Sequence, residues 1–276
     1  MGLVMKKYYA VVLFLLFSAF ACRPREEQPR VIAIYPSSDL VPSNLLRMYI
    51  HFSHPMKTVG NLEKIKLLDA DGEEIEHVFF QNAYELWNRE QTQLTLIVDP
   101  ARVKTGLLAN ETFGRVFKPD KTYELVVEGL EDVNHRPLRS VFRKTLIVQE
   151  ADTLAPDLNA WEISIPESDS DQALKVKFPN MLDFNSLQRR LVITDHNNLP
   201  IKGTVSIEKQ ETEWVFLPEE RWQLGKYTLY VNARLEDPSG NNLNGLFDHE
   251  IGSLKYEREG EILQLPFVIK ESEEDQ

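Results

Sequence analysis

One strand-and-turn pattern occurs twice in the chain, in Tyr123–Leu138 and again in Tyr227–Leu243. Both copies read Tyr-x-Leu-x-Val, then Leu-Glu-Asp, and then a further Leu a few residues on. Alternation of apolar and polar residues is typical of a half-buried strand. In the second copy Pro238 fixes φ and Gly240 can adopt a positive φ, which indicates a turn. The repeat therefore predicts two related β domains.

Further short strands surround each copy. The first half contains roughly seven short strand-like segments with turn signals between them, at residues 31–35, 46–52, 65–68, 75–80, 94–98, 123–127 and 142–148. The second half repeats this order at residues 161–165, 174–178, 191–193, 205–207, 214–216, 227–231 and 263–269. We expect Asp69–Glu73, with Gly72 at the permissive position, to form a hairpin turn. The fold class predicted is all-β, with two tandem β-sandwiches.

Composition along the chain predicts the domain boundaries. Residues 31–150 and 159–270 are the two domains, and the polar segment 151–158, which contains Pro156, is the linker between them. Pro266 confines the last strand to a sheet edge or a bulge. Residues 271–276 form an acidic tail that we expect to be frayed.

The first residues are typical of a secretory leader. Lys6 and Lys7 precede an apolar run, residues 8–21, that is shorter than the roughly 20 residues of a spanning helix. The only cysteine of the chain, Cys22, follows directly. We therefore predict a signal peptide at residues 1–21 and a polar tether at residues 22–30.

The segment from Ser18 to Cys22 resembles the lipobox of bacterial lipoproteins, with Ala19 and Ala21 as its small residues. This resemblance implies that Cys22 carries a thioether-linked diacylglycerol and an acylated amine, and more than one acyl chain gives stable membrane anchoring. By the sorting rules of that class, Arg23 in place of Asp implies the outer membrane, on its periplasmic or surface face. The alternative is an ordinary cleaved leader followed by a coincidental cysteine.

Three segments resemble the bacterial Ig-like domains (Big_5 type) of surface and secreted proteins: Val31–Ser38, Ile50–Met56 and Tyr227–Leu243. His54 stands where an acid is common, and His135-Arg136 replaces the Gly-Asn of the turn in the first domain. The resemblance implies two Ig-like sandwiches with roles in adhesion, assembly or spacing. It implies no common ligand.

The net charge of -12 argues against a nucleic-acid partner. The sequence contains no Gly-x-Ser-x-Gly, His-Glu-x-x-His or phosphate-loop motif. We therefore predict a protein that is not an enzyme and needs no cofactor.

Two groups of residues could hold metal ions. His51, His54 and Met56 lie together and would suit copper in a periplasmic copper-binding protein. Because Met181 occupies the matching place in the second domain, we interpret Met56 as a packing residue. The acidic loop Glu167–Asp171 lacks the glycine and closing glutamate of a calcium loop, and we interpret it as a solvated loop.

The four tryptophans offer a glycan-binding alternative. Trp161 and Trp214 stand at core positions of their strands, so we interpret them as packing residues. Trp87 and Trp222 lie near turns and could be surface aromatics that stack on a sugar.

An insertion in the first domain, residues 101–120, is the candidate partner-binding site. The second domain makes the same connection with residues 219–226 alone. The insertion combines basic and apolar residues, and the candidate set is Arg102, Lys104, Leu107, Leu108, Phe113 and Arg115. Such a combination favours protein docking. Alternatively Leu107, Leu108 and Phe113 fold back over an open end of the sandwich.

Together these features predict a lipid-anchored envelope protein that acts as a non-catalytic binding, adhesion or scaffolding module. Its partners would be the membrane, through the lipid on Cys22, and an envelope protein or a glycan. A carbohydrate-binding surface lipoprotein is the alternative.

Overall fold

The computed structural model describes residues 27–249 and 260–271. Its first sandwich contains β1 (Val31–Tyr35), β2 (Leu40–Pro42), β3 (Arg47–Phe52), β4 (Ile65–Leu68), β5 (Leu86–Trp87), β6 (Gln93–Ile97), β7 (Thr122–Val127) and β8 (Phe142–Gln149). One sheet has the order β1-β3-β6-β5 and the other β2-β8-β7-β4. All pairs are antiparallel except β2 with β8.

The second sandwich contains β9 (Glu162–Ser164), β10 (Leu174–Lys177), β11 (Leu191–Thr194), β12 (Gly203–Glu208), β13 (Glu213–Pro218), β14 (Gly225–Asn232) and β15 (Ile262–Ile269). Its sheets have the orders β12-β13-β10-β9 and β11-β14-β15. A four-stranded sheet facing one that contains the third, sixth and seventh strands is the constant-type Ig arrangement. The prediction of two tandem Ig-like sandwiches is confirmed.

Among the described residues, three short α-helices lie between the strands: α1 (Pro100–Val103), α2 (Leu108–Phe113) and α3 (Phe184–Arg189). Two single 3-10 turns, Leu62–Lys64 and Leu158–Ala160, lie between other strands. Asp99 caps α1 by accepting the N–H of Ala101 at 2.9 Å, and Pro100 suits the first helical position. Asp183 caps α3 by accepting the N–H of Ser186 at 2.8 Å. In residues 27–249 and 260–271, no helix is long and apolar enough to cross a membrane.

Alternating residues of the strands build two hydrophobic cores. In β3, Met48, Ile50 and Phe52 point into the first core, which collects buried residues between Ile34 and Val148. The second core collects residues between Leu174 and Ile269. Phe247 crosses this division, because it belongs to the second half of the chain but packs against the first core. The two cores are therefore separate, and a side chain from the second half of the chain adds to the first.

Tyr123 and Tyr227, which occupy the same position in the repeat, make the same contact in both sandwiches. The hydroxyl of Tyr123 accepts the N–H of Lys118 at 3.2 Å, and that of Tyr227 accepts the N–H of Gln223 at 3.3 Å. This contact, from β7 in the first sandwich and from β14 in the second to the backbone just upstream, is a tyrosine corner. An aromatic ring packs edge-on against each tyrosine, Phe117 at 5.5 Å and Trp222 at 5.4 Å between centroids. The sequence repeat thus marks a repeated corner.

The segment at residues 75–80 differs from the predicted hairpin strand. Ile75 still donates to Leu67 of β4, but Phe80 donates to Ile97 of β6 in the opposite sheet. Between them His77 adopts a φ of 54°, which redirects the chain. The segment is therefore a crossover between the sheets. Pro266, in contrast, lies in β15 at the edge of its sheet, as predicted.

Candidate functional site

The insertion at residues 101–120 folds as a hairpin of α1 and α2. Val103, Val116 and Phe117 are buried in the first core and fix the base of this hairpin. On α2, Leu108 is 79% exposed and Phe113 is 62% exposed. The alternative that Leu108 and Phe113 cover the core is therefore wrong. The residues of the insertion that cover the first core are Val103, Val116 and Phe117, which lie nearer its ends.

Arg102, one of the predicted partner-binding residues, lies buried inside the insertion. Its guanidinium donates to the carbonyls of Gly114 at 3.0 Å, Glu76 at 3.2 Å and His77 at 3.3 Å. Burial lowers the pKa of Arg102, although an arginine remains charged at neutral pH. Arg102 therefore ties the insertion to the crossover, and we correct its role to a structural one.

Lys104 and Arg115 point toward the second sandwich. The guanidinium of Arg115 lies 2.9 Å from the carboxylate of Asp248, which also accepts the N–H and the hydroxyl of Thr105 at 2.8 Å each. The ammonium of Lys104 lies 4.5 Å from the ring centroid of Phe247, a cation–π geometry. The structure thus gives both cations partners within the chain. Leu107 is half-buried, and Leu108 and Phe113 form the exposed part of the candidate set.

A second surface that the sequence did not reveal joins the two sandwiches. On the outer face of β1 and β3, the hydroxyl of Tyr49 donates to the carboxylate of Asp183 at 2.7 Å. The ring of Phe184 stacks on Tyr35 at 3.6 Å between centroids and meets the edge of His51 at 5.3 Å. We call this set of contacts the sandwich joint.

The repeated turn at Asp237–Asn241 belongs to the same joint. Asp237 is buried and accepts the backbone N–H groups of Ser239 and Asn241, as an Asx turn requires. The carbonyl of Pro238 accepts the N–H of Leu46 at 2.9 Å across the joint. Gly240 has a φ of 82°, and a Cβ there would lie 2.5 Å from the Leu46 side chain. The turn was predicted, but its contact with the other sandwich was not.

The predicted linker is hydrogen-bonded to both sandwiches at Asp152. Its N–H and carbonyl pair with the side-chain amide of Asn44, both at 2.8 Å. The same carbonyl accepts Asn241 at 3.2 Å from the other side. Ser239 completes the network by donating to Asn44 at 3.0 Å. This part of the linker is therefore part of the joint and does not act as a free spacer.

Buried carboxylates concentrate at the joint. Burial raises the pKa of Asp183 and of Glu211, although Glu211 accepts the N–H of Ser37 at 2.8 Å across the joint. Burial, together with the nearby charge of Asp152, raises the pKa of Asp237 to about 7. Arg47 forms an ion pair with Glu236 beside them. The joint therefore holds several acids in a site that disfavours their charged forms.

The residues considered as copper ligands each have another role. Met56 is fully buried in the first core. His54 shares a hydrogen bond of 2.8 Å with Ser53, and His51 faces Phe184 across the joint. Within the part of the chain that the structure describes, no group of three or more His, Cys, Asp or Glu side chains could hold a metal ion.

The tryptophans differ partly from the prediction. Trp222 is 2% exposed and donates to the carbonyl of Gln172 at 2.8 Å, so its assignment to the surface is wrong. Trp87 is half-buried against Phe52. Trp214 is buried, and Trp161 packs against Phe178, as expected of packing residues. Cys22 and the leader lie outside the described residues.

No protein-family profile and no characterised protein matches the sequence. Among solved structures, the chain is similar to domains 1–6 of the surface layer protein SbsC, with 8% identity and a TM-score of 0.32 over 90% of this chain. It spans 41% of that structure.

Two further structures are similar in the same sense. The BSP domain of a biofilm associated protein has 15% identity and a TM-score of 0.24 over 74% of this chain and 26% of its own. The N-terminal Ig1-2 module of the Drosophila receptor protein tyrosine phosphatase DLAR has 13% identity and a TM-score of 0.22 over 76% of this chain and 91% of its own. The fold class rests on the strand order described above.

Proposed function

We propose that the chain is a lipid-anchored, non-catalytic protein of the bacterial envelope that works as a binding or scaffolding module. The observation that carries the proposal is the exposed apolar tip of the insertion, residues 107–113. Leu108 and Phe113 are exposed to solvent at this tip. The base of the hairpin is fixed by Arg102, Val103 and Phe117. The proposed partner is an envelope protein with an apolar groove for these two side chains.

Physical arguments favour a partner at the tip over a purely structural role. A partner that covers these two large apolar side chains removes them from water. This stabilises the complex by about 25 cal/mol per Å² of apolar area buried. Aromatic residues held on a fixed backbone are common anchors of protein interfaces. The interactions of Lys104 and Arg115 with the second sandwich hold the hairpin in one place, which lowers the entropy lost on binding.

The tip is tested by replacing Leu108 and Phe113 with Ser. Because both side chains are exposed, we expect the melting temperature to change by less than about 2 °C. Covalent capture of an envelope protein by a photo-crosslinking residue at position 112 should be lost in the same variant. Ser at Val59 and Val141, two exposed valines outside the insertion, is the matched control and should leave capture unchanged. Capture that survives in the tip variant would refute the proposal.

The lipid anchor is a separate part of the proposal, supported by the leader and the single Cys22. Replacing Cys22 with Ser removes the thiol that the diacylglycerol would occupy. We expect the variant to leave the membrane fraction and to lose metabolic labelling by palmitate. Ser at Ala21 is the control for disturbance of the leader. Palmitate labelling that persists in Cys22→Ser would refute the anchor at Cys22.

A further inference from the structure

A cavity of about 440 Å³ lies where the linker meets the second sandwich. Leu154, Ala155 and Pro156 of the linker form one wall. The lining also includes aromatic and aliphatic residues of the second sandwich, among them Trp161, which packs edge-on against Phe178 at 4.8 Å between centroids. This volume lies within the range of small-molecule sites, which are often found at domain boundaries. The walls suit a ligand with an apolar body.

All of the ionisable residues that line the cavity are acidic. The ionisable residues that line it are Asp152, Asp157 and Asp237. Asp237 is buried, and the charge of Asp152 helps to raise its pKa to about 7. Two acids held close together disfavour each other's ionisation, and a cation placed near them relieves this repulsion. An anionic ligand would be repelled, and a neutral one would gain no charge–charge attraction from the carboxylates.

We propose that this cavity is a binding site for a small organic cation with an apolar body, such as an aryl-alkyl amine. The apolar body packs between the linker and Trp161, and the ammonium lies toward the aspartates. The site is distinct from the insertion tip, so it does not depend on the proposed partner.

Phenethylammonium is the probe, and binding to the purified protein is measured by isothermal titration calorimetry. Its neutral analogue 2-phenylethanol and its anionic analogue phenylacetate have similar apolar bodies. We expect phenethylammonium to bind at least about tenfold more tightly than 2-phenylethanol, and phenylacetate to show no saturable binding. Equal affinity for the cation and the alcohol would overturn the proposal. So would the absence of phenethylammonium binding at about 10 mM.

Two variants locate the site. Ala155→Trp fills the cavity from its exposed linker wall, and Asp157→Asn removes one rim charge while keeping the oxygen that caps Asn159. Both should weaken phenethylammonium binding, the first by at least about tenfold. Ala83→Trp, at an exposed position of the first sandwich, is the matched control, and Leu108→Ser should leave the affinity unchanged. Undiminished binding in Ala155→Trp, with an unchanged melting temperature, would place the probe elsewhere and overturn the assignment.

Discussion

Asp237 occupies two environments at once, a turn that stabilises its charge and a buried joint that opposes it. Three N–H groups, from Ser239 and from the backbone and side chain of Asn241, donate to its carboxylate. Burial and Asp152 nevertheless raise its pKa from 3.8 to about 7. Desolvation of the carboxylate and repulsion from Asp152 together therefore outweigh three hydrogen bonds at this position.

This balance predicts how stability depends on pH. Between its unfolded pKa of 3.8 and its folded pKa of about 7, Asp237 binds its proton more tightly in the folded chain. Its contribution to the free energy of unfolding is therefore full below the lower value and is lost as the pH rises through the upper one. Asp183 and Glu211, whose pKa values are also raised, act in the same direction.

We expect the raised pKa of Asp237 to lower the melting temperature progressively as the pH rises from about 4 to about 7, and Asp237→Asn to remove this loss. The melting temperature is measured at several pH values by thermal denaturation followed by circular dichroism. Asp195→Asn is the control, because hydrogen bonds from the turn lower the pKa of Asp195. The contribution of Asp195 to stability therefore changes only at more acidic pH. Identical pH profiles for wild type and Asp237→Asn would contradict the assignment.

At the scale of single elements, the sequence predicted those strands that have one buried face. In β3, β6, β10 and β14 the alternation of apolar residues comes from burial against a core, so pattern and structure agree. Strands β2 and β5 contain only three and two residues, too few for any period to appear. Residues 75–80 are rich in apolar residues for another reason, because the crossover bonds to both sheets.

The joint could not be predicted from alternation, because its residues occupy the positions that a single sandwich leaves to solvent. Arg47, Tyr49 and His51 alternate with the core residues of β3 and therefore read as an exposed face. Only the second sandwich covers them. The available signal was their chemistry, since Arg and Tyr on an outer face are enriched at interfaces. Trp222 was misplaced in a similar way, because a residue near a turn can still close the end of a core.

At the scale of the whole molecule, the joint determines how far the sandwiches depend on each other. The second core contains no residue of the first half among its described members, so residues 153–270 should fold alone. We expect an all-β circular dichroism spectrum and cooperative unfolding, at a melting temperature several degrees below that of the intact chain. The loss of cover over Phe184 and the Asp237 turn is the reason. A coil-like spectrum would mean that the halves need each other to fold.

Phe184→Ala provides a matched comparison for this fragment. In the intact chain the substitution removes a buried ring stacked on Tyr35 and should cost about 3 kcal/mol of unfolding free energy. In the fragment the ring faces solvent on that side, and the cost should be less than half as large. Chemical denaturation of the four proteins gives both values. Equal costs would indicate that the ring is stabilised within the second sandwich alone.

The insertion hairpin is fastened to both sandwiches, by Arg102 and Phe117 at its base and by the contacts of Thr105 and Arg115 with Asp248 along its flank. A force applied to the tip of the hairpin is thus transmitted to both sandwiches and does not separate one from the other. Thermodynamic linkage adds a reciprocal consequence. A molecule that binds the hairpin only while Thr105 and Arg115 contact Asp248 binds more tightly to a chain in which these contacts are formed. By the same free energy, its arrival holds the two sandwiches together.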